Sequence, residues 1–282
     1  MRGSEAKSWL NGVITCDVAL VSEERGALGL LLNKQGKIQS DLVLVEASGT
    51  VFLSTAPGLD TKIQGDLERM LVMEDAELSN QSAELAFVFL HGKRAAELAR
   101  ACQLKLGFGA VDPTGHGGAA MVAERARLGD VERELVLLGA TPDDGRGWLE
   151  LRLEGAWPEF GVDYTSDDNP HQASLDRRSV SWSKGCYLGQ EVVCMQDMRG
   201  KVKRRVACLE LDSTVAPAAG SSVISSANTA GTVSSAAVSA ERHQVLALAM
   251  LSAPYFEPGT PVEVGGAQGR VISAATPVGA ST

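Results

Sequence analysis

Several classes of residue are scarce in this chain of 282 residues, and each scarcity excludes a class of protein. Aromatic side chains make up 5% of the sequence, too few for a base-stacking surface that binds single-stranded nucleic acid. Basic residues number 26 against 35 acidic ones, and the net charge of −9 argues against a general nucleic-acid surface. No apolar run is long enough to span a membrane, and residues 1–10 lack the apolar core of a signal peptide. We therefore expect a cytoplasmic protein with no membrane partner and no direct nucleic-acid partner.

The cysteines argue against two further kinds of site. They are odd in number, lie far apart and contain no Cys-x-x-Cys pair. This distribution matches neither a disulfide framework nor a zinc site, and it is typical of a reducing compartment. We therefore expect no bound metal. The five cysteines are Cys16, Cys102, Cys186, Cys194 and Cys208.

What the chain does have is one dense group of reactive side chains at residues 183–191, which read Ser-Lys-Gly-Cys-Tyr-Leu-Gly-Gln-Glu. The two glycines allow a tight turn or a close approach to a ligand. A helix or a strand is predicted to begin at Gln190, which places Cys186 at its entrance. If that element is a helix, its free N–H groups and Lys184 would both favour the thiolate. A glycine-flanked Cys-Tyr pair can also simply fill a loop, but the density of polar groups favours a site.

The hydrophobic pattern predicts an α+β chain that ends in a small β-barrel. Apolar residues at helical spacing predict helices at 5–14, 59–71 and 95–102. Strands are predicted at 27–32, 38–45, 51–53, 85–90, 134–138 and 149–153. The glycine-rich segment 107–118 is predicted to be a loop. From about residue 206 the pattern contains strands and no helix, as a small barrel requires.

Four further features could carry chemistry, and each has a plainer explanation. Asp17 follows the first predicted helix and could act as a general base or hold an amine, or it could cap a turn. Glu154 ends a predicted strand and could accept two N–H bonds from a 2-amino-pyrimidinone ring, or it could be an exposed strand residue. The cations of 199–205 could bind a phosphate or an oligoglutamate tail, or cover a solvated strand face. His171 could pair with the motif cysteine as a nucleophile, although no further signature supports this.

Residues 184–191 resemble the signature motif of the YgfZ family, whose members are relatives of the glycine-cleavage T-protein. The resemblance extends over nearly the whole chain and is most specific at the Lys-Gly-Cys-Tyr motif. Segments that resemble the family in the same order are 9–18, 33–37 and 152–161. The chain departs from the family pattern at Cys16, at the Gly155-Ala156 pair, at Gln172 and at Met195. A glutamate and an arginine are usual at the last two positions, so a salt bridge or a ligand contact is expected to be missing.

The resemblance implies three domains in a cloverleaf around a central hole. Two are ferredoxin-like α+β domains, and the third is a small β-barrel. The first domain would be discontinuous, at 1–56 and 143–205, with the second inserted at 57–142. The barrel would occupy 206–282. These boundaries agree with the changes in composition along the chain.

The resemblance also implies a function and its residues. The family binds tetrahydrofolate or a one-carbon derivative, and it supports assembly or repair of iron–sulfur enzymes, including one that thiolates tRNA. We therefore expect iron–sulfur client enzymes as partners and a monomeric protein. Cys186 would be the functional thiol, with Lys184 and Tyr187 shaping and charging its surroundings. Folate would sit in the central hole, with Asp17 near its one-carbon position. The residues expected to bind it are Asp17, Glu154, Tyr187, Gln190 and Glu191.

Two alternatives stay open beside this expectation. The chain could be an aminomethyltransferase or demethylase that acts on a folate-bound one-carbon unit, with Asp17 as its carboxylate. The Lys-Gly-Cys-Tyr motif favours the accessory role, because the transferases do not need that thiol. The chain could also be a scaffold that has kept the fold and lost the ligand, which the departures at Gln172 and Met195 would fit.

Overall fold

Residues 1–272 are described by a computed structural model of the chain, and they divide into two units. The first unit comprises Met1–Asp112, His116–Pro142 and Ser179–Gln190. The second comprises Pro113–Gly115, Asp143–Arg178 and the described part of 191–282. The three-domain division expected from the sequence stays a prediction, and its last residues, 273–282, lie outside the described part. Over residues 1–272, none of the helices combines the length and the apolar character that a membrane crossing needs.

The first unit begins with one helix and a three-stranded antiparallel sheet. Its elements are α1 (Ala6–Val13), β1 (Ala27–Leu32), β2 (Ile38–Ala47) and β3 (Thr50–Thr55). The strand order is β1-β2-β3. Helix α1 buries Trp9, Leu10 and Val13, the residues whose spacing predicted the helix. The predicted hairpin of β1 and β2 is also confirmed. The Asn33 side chain closes its turn by accepting hydrogen bonds from the backbone N–H groups of Gln35 and Lys37.

A second three-stranded sheet, with strand order β4-β6-β5, lies in the same unit. Its strands are β4 (Leu85–His91), β5 (Gly107–Ala110) and β6 (Gly118–Glu124). Helices α3 (Ala95–Ala101) and α4 (Leu128–Leu137) pack on this sheet, whereas α2 (Asp60–Glu68) buries Ile63 and Leu67 in the core formed by α1 and the first sheet. The loop prediction for 107–118 is wrong in part, because β5 lies within it. The predicted strand at 134–138 is also wrong, since these residues end α4. Its buried residues Val131 and Leu135 are four apart, and a short apolar run does not distinguish a strand from a buried helix.

The second unit consists of two helices and the predicted barrel. The helices are α5 (Arg146–Glu154) and α6 (Gln190–Arg199), whose first residue belongs to the first unit. The barrel strands are β7 (Arg204–Leu211), β8 (Ser222–Ser225), β9 (Asn228–Val238), β10 (Val245–Ser252), β11 (Pro261–Val264) and β12 (Ala267–Ile272). They close in the order β10-β7-β12-β11-β8-β9 around a core of small and β-branched side chains. The mixed α+β fold with a C-terminal β-barrel is therefore confirmed.

The strand predicted at 149–153 is wrong, because these residues lie in α5. The Asp143 carboxylate accepts hydrogen bonds from the backbone N–H groups of Gly147 and Trp148, both at 2.9 Å, and so caps the helix. The alternation of leucine with charged residues is misleading here, because Arg152 is as deeply buried as Leu153. Glu154 is therefore the last residue of a helix rather than the end of a strand.

Candidate functional site

The segment that carries the Lys-Gly-Cys-Tyr motif is held by Thr15, which is fully buried in the first unit. The Thr15 hydroxyl donates to the carbonyl of Ser179 at 2.5 Å and accepts from the backbone N–H of Leu30 at 2.8 Å. The Thr15 carbonyl accepts from the backbone N–H of Ser181 at 2.9 Å. One residue thus joins the start of the motif segment to strand β1.

Lys184 fixes the same segment a second time. Its ammonium donates to the carbonyls of Ile14 and Cys16 at 2.7 and 2.8 Å. It also lies 5.4 Å from the centre of the Tyr187 ring, a cation–π distance. Burial lowers the pKa of Lys184, while the nearby Cys16 and Asp17 act in the opposite direction. The described polar contacts of this amine are with the backbone, so its position is set by Ile14 and Cys16 rather than by the motif thiol.

Cys186 is exposed, whereas the residue after it, Tyr187, is buried. Gly189 has a φ of +80°, and a Cβ there would lie 2.6 Å from the carbonyl oxygen of Asn33. A glycine is therefore required where the motif passes the hairpin turn. The predicted element after the motif is a helix, α6, which begins at Gln190. The thiol lies on a short turn that is anchored before it by Lys184 and after it by Tyr187 and Gly189.

Three other thiols of the chain, Cys16, Cys102 and Cys208, are buried, and burial raises the pKa of each. Burial raises the pKa of Cys16 to about 11, although the neighbouring Lys184 opposes the shift. Burial likewise raises the pKa of Cys208 to about 12. The Cys16 sulfur also fills the space that a side chain at Gly29 would need, since a Cβ there would lie 2.6 Å from it. Buried thiols of this kind are poor nucleophiles, because the thiolate is the reactive form.

Asp17 lies at the start of a short 3-10 helix, Val18–Leu20, and its carboxylate accepts from the backbone N–H of Ala19 at 3.0 Å. Asp17 therefore makes the capping contact that is expected if its role is to cap a turn, the plainer of the two explanations. The side chain is half-buried and close enough to Lys184 to affect the pKa of that amine. Asp17, Lys184 and Tyr187 thus share one neighbourhood in the first unit.

Glu154 lies in the second unit, where its carboxylate accepts a hydrogen bond from the Ser239 hydroxyl at 2.8 Å. One turn earlier on α5, the Glu150 carboxylate accepts from the backbone N–H of Ala240. Both contacts join the helix to the connection between β9 and β10. No local pattern could have revealed them, since Glu154 and Ser239 are 85 positions apart.

A buried ion pair supports the end of α5 and was not predicted. The Arg152 guanidinium donates to the Asp163 carboxylate at 2.6 Å and to the Ser235 hydroxyl at 2.6 Å. Asp163 also accepts from the hydroxyls of Ser234 and Ser235 at 2.5 and 2.7 Å. Buried charges need such partners, because desolvation without them is costly. The network holds α5, and with it Glu154, against strand β9.

The predicted site residues are divided between the units. The first unit contains Asp17, Lys184, Cys186, Tyr187 and Gln190, and the second contains Glu154 and Glu191. Gln190 is half-buried and Glu191 is exposed. Within the first unit the structure brings together Asp17, Lys184 and Tyr187, and within the second unit Glu154 lies beside the connection between β9 and β10.

His171, Asp176 and Asp197 in the second unit have ligand atoms within 4.8 Å of one another, a spacing that a metal ion could bridge. Arginines already balance both carboxylates: Arg177 donates to Asp197 at 2.6 Å, and Arg205 donates to Asp176 at 2.7 Å. This charge balance identifies the cluster as a salt-bridge network, and we assign no metal to it.

Family models match both ends of the chain. The GCVT N-terminal domain matches residues 1–126. The glycine cleavage T-protein C-terminal barrel domain matches residues 204–280, which include the six strands of the barrel. The two matches together cover most of the chain.

Individual relatives agree with these models. The tRNA-modifying protein YgfZ of Colwellia psychrerythraea is 24% identical over 74% of this chain and 67% of its own length. The protein of the same name from Yersinia pseudotuberculosis is 24% identical over 78% of this chain and 70% of its own. The crystal structure of the glycine cleavage system aminomethyltransferase T from Bartonella henselae superposes with a TM-score of 0.76 at 20% identity. That superposition covers 98% of this chain and 82% of the crystallised one, so the two share a fold.

Proposed function

Because the chain belongs to the T-protein-like family that includes the YgfZ proteins, we propose that it is a tetrahydrofolate-binding accessory protein. In this role it supports the assembly or repair of iron–sulfur enzymes in the reducing cytoplasm. Its clients include enzymes that modify tRNA, a link that rests on the printed name of the YgfZ relatives. We propose that it acts as a monomer.

The observation that carries the proposal is the presentation of Cys186. The side chain is exposed on a turn whose two sides are fixed, whereas Cys16 and Cys208 are buried and protonated. An accessible thiol can exchange with another thiol or ligate a metal, and a rigid support holds it in one position for a partner. Lys184 and Tyr187 act here as positioning residues, since their contacts fix the turn.

Folate binding is assigned to groups whose chemistry fits the ligand. A carboxylate such as that of Glu154 can accept two N–H bonds from a 2-amino-pyrimidinone ring, and the Arg152–Asp163 pair holds its helix in place. Asp17 supplies a half-buried carboxylate beside Lys184 for the one-carbon end. Tyr187, Gln190 and Glu191 complete the proposed binding set.

Aminomethyl transfer is the second candidate function, and the observation in its favour is the position of Asp17. Its carboxylate follows α1, is held by the Ala19 N–H and is half-buried, as a carboxylate that receives an amine could be. An assay for release of ammonia from an aminomethyl donor with tetrahydrofolate as acceptor separates the two functions. Turnover that survives replacement of Cys186 by alanine would favour the transferase.

The test of the accessory role is complementation with Cys186→Ala. In cells that lack the protein, we expect wild type to restore the activity of an iron–sulfur tRNA-modifying enzyme, and we expect the variant to fail. The matched control is Cys194→Ala, a partly exposed cysteine on α6 outside the motif, which should complement fully. Both variants should fold, because neither side chain belongs to the core. Full rescue by Cys186→Ala would exclude a role for the thiol.

A further inference from the structure

Helix α6 has an exposed apolar face in the second unit. Val192, Met195 and Met198 follow one another at intervals of three, so they lie on the same side of the helix. They are 38, 40 and 86% exposed, whereas Val193 on the opposite side is 1% exposed. The helix therefore packs through Val193, and residues 1–272 leave Met198 largely exposed and Val192 and Met195 partly exposed.

Three cations extend this face at its C-terminal end. Arg199, Lys201 and Lys203 are all exposed, and within the described part of the chain none of their side chains makes an ion pair. The rest of the run behaves differently, because Arg204 pairs with Asp168 and Arg205 pairs with Asp176, each at 2.7 Å. If the cations of 199–205 only covered a solvated strand face, these three charges would have no structural role.

We propose that these six residues form a docking surface for an acidic, amphipathic segment of a partner protein. We call them the α6 surface: Val192, Met195, Met198, Arg199, Lys201 and Lys203. The proposal goes beyond folate binding and does not depend on it.

Charge complementarity and side-chain chemistry select this occupant. The net charge of the chain is −9, and unpaired cations on its surface favour an acidic counterpart. Opposite charges speed the association of the two proteins and fix the register in which the partner segment binds. The methionines are flexible and polarizable, so they can adapt to the apolar side of an amphipathic segment. The chain's own residues 273–282 contain no acidic side chain and cannot neutralise these cations.

The experiment places a photoreactive amino acid at position 195 of the full-length protein, in the cells that normally contain it. The matched control places the same group at position 73, in the first unit, where the methionine is 90% exposed and far from any basic run in sequence. We expect a discrete protein adduct from position 195 and none of the same mass from position 73. Mass spectrometry should map it to a partner segment that has acidic residues and apolar residues at helical spacing.

Charge reversal gives the decisive comparison. Lys201→Glu combined with Lys203→Glu should reduce the adduct at least fivefold, and exchanging two partner glutamates for lysine should restore it. These variants keep the fold, since both lysines are exposed. Four results would overturn the proposal: no adduct at position 195, cross-links only to RNA, cross-links only to a second copy of the chain, or a yield that charge reversal leaves unchanged.

Discussion

At the scale of single residues, burial distinguishes the thiols of this chain, since Cys16, Cys102 and Cys208 are buried, Cys194 is half-buried and Cys186 is exposed. Cys16 and Cys208 are enclosed, and the cost of desolvating a thiolate raises their pKa values to about 11 and about 12. Cys186 is exposed on a segment that Lys184 anchors before it and Tyr187 anchors after it. A chemical role for a cysteine in this protein is therefore best sought at Cys186, and the buried thiols affect stability instead.

The raised pKa of Cys16 predicts a loss of stability in alkali. An unfolded thiol loses its proton near 9.0, whereas the folded one keeps it to about 11. Between pH 9 and pH 11 the thiol loses its proton in the unfolded state alone, which favours unfolding. The contribution of Cys16 to the free energy of unfolding is therefore fully present below pH 9 and falls as the pH rises to 11. The full effect is about 2–3 kcal/mol. Urea unfolding of the wild type at pH 8, 9, 10 and 11 measures it.

Cys16→Ala is the comparison for this prediction. It should unfold more easily than the wild type at pH 8 because it leaves a cavity, and the difference between the two proteins should shrink as the pH rises. Cys208 titrates in both proteins and cancels, whereas Lys184 interacts with Cys16, so the comparison measures the contribution of Cys16 together with its coupling to Lys184. A difference that stays constant from pH 8 to 11 would exclude the assigned pKa.

At the scale of elements, the motif turn and the β1–β2 hairpin depend on each other through Gly189. Its φ of +80° disfavours any side chain, and a Cβ would meet the Asn33 carbonyl. Gly189→Ala should therefore lower the free energy of unfolding by at least about 1–2 kcal/mol, the cost of a left-handed alanine. Gly185→Ala is the matched control, because no atom lies within 4 Å of its Cβ position. Chemical denaturation that gives equal values for both variants would contradict this interpretation.

The attachment of α5 to the barrel depends on the Arg152–Asp163 ion pair. Arg152→Met should destabilise the protein by about 3–5 kcal/mol, because it leaves the Asp163 carboxylate buried without its cation. Asp163→Asn should destabilise the wild type and stabilise the Arg152→Met variant, where it removes the uncompensated charge. A double-mutant cycle in urea tests this change of sign. The same effect of Asp163→Asn in both backgrounds would show that the two side chains are not coupled.

Elements with a simple local pattern could be predicted from the sequence. Helix α1 has apolar residues at helical spacing, the hairpin has an Asn-Lys-Gln-Gly-Lys turn, and the barrel strands follow one another without a helix. Strand β6 was missed because it is built largely of glycine and alanine. Helix α5 was mistaken for a strand because Arg152 lies inside, where only its distant partners Asp163 and Ser235 stabilise it. An ion pair formed by folding leaves no periodic signal.

The candidate site could be predicted to a similar extent. Residues 183–191 were identified because their reactive groups are neighbours in the sequence. The role of Lys184 as an anchor to Ile14 and Cys16 could not be foreseen, since these contacts span about 170 positions. The Ser239 contact of Glu154 is equally non-local.

At the scale of the whole molecule, the residues to which the proposal assigns roles are distributed over both units. The thiol, its anchors and Asp17 belong to the first, and Glu154 with its supporting ion pair belongs to the second. Folate binding that depends on Glu154 and is independent of Cys186 would separate ligand binding from thiol chemistry. These two activities are therefore best measured on the same set of variants.

The most direct test is calorimetric titration of the full-length protein with tetrahydrofolate under reducing conditions. Wild type and Cys186→Ala should both bind saturably and with the same affinity. Glu154→Gln should bind more weakly by about 1–3 kcal/mol, the cost of leaving the ring N–H groups poorly paired. Glu150→Gln, one turn earlier on α5, should bind like the wild type. No binding by the wild type, or equal binding by Glu154→Gln, would contradict the proposal that this protein binds folate through Glu154.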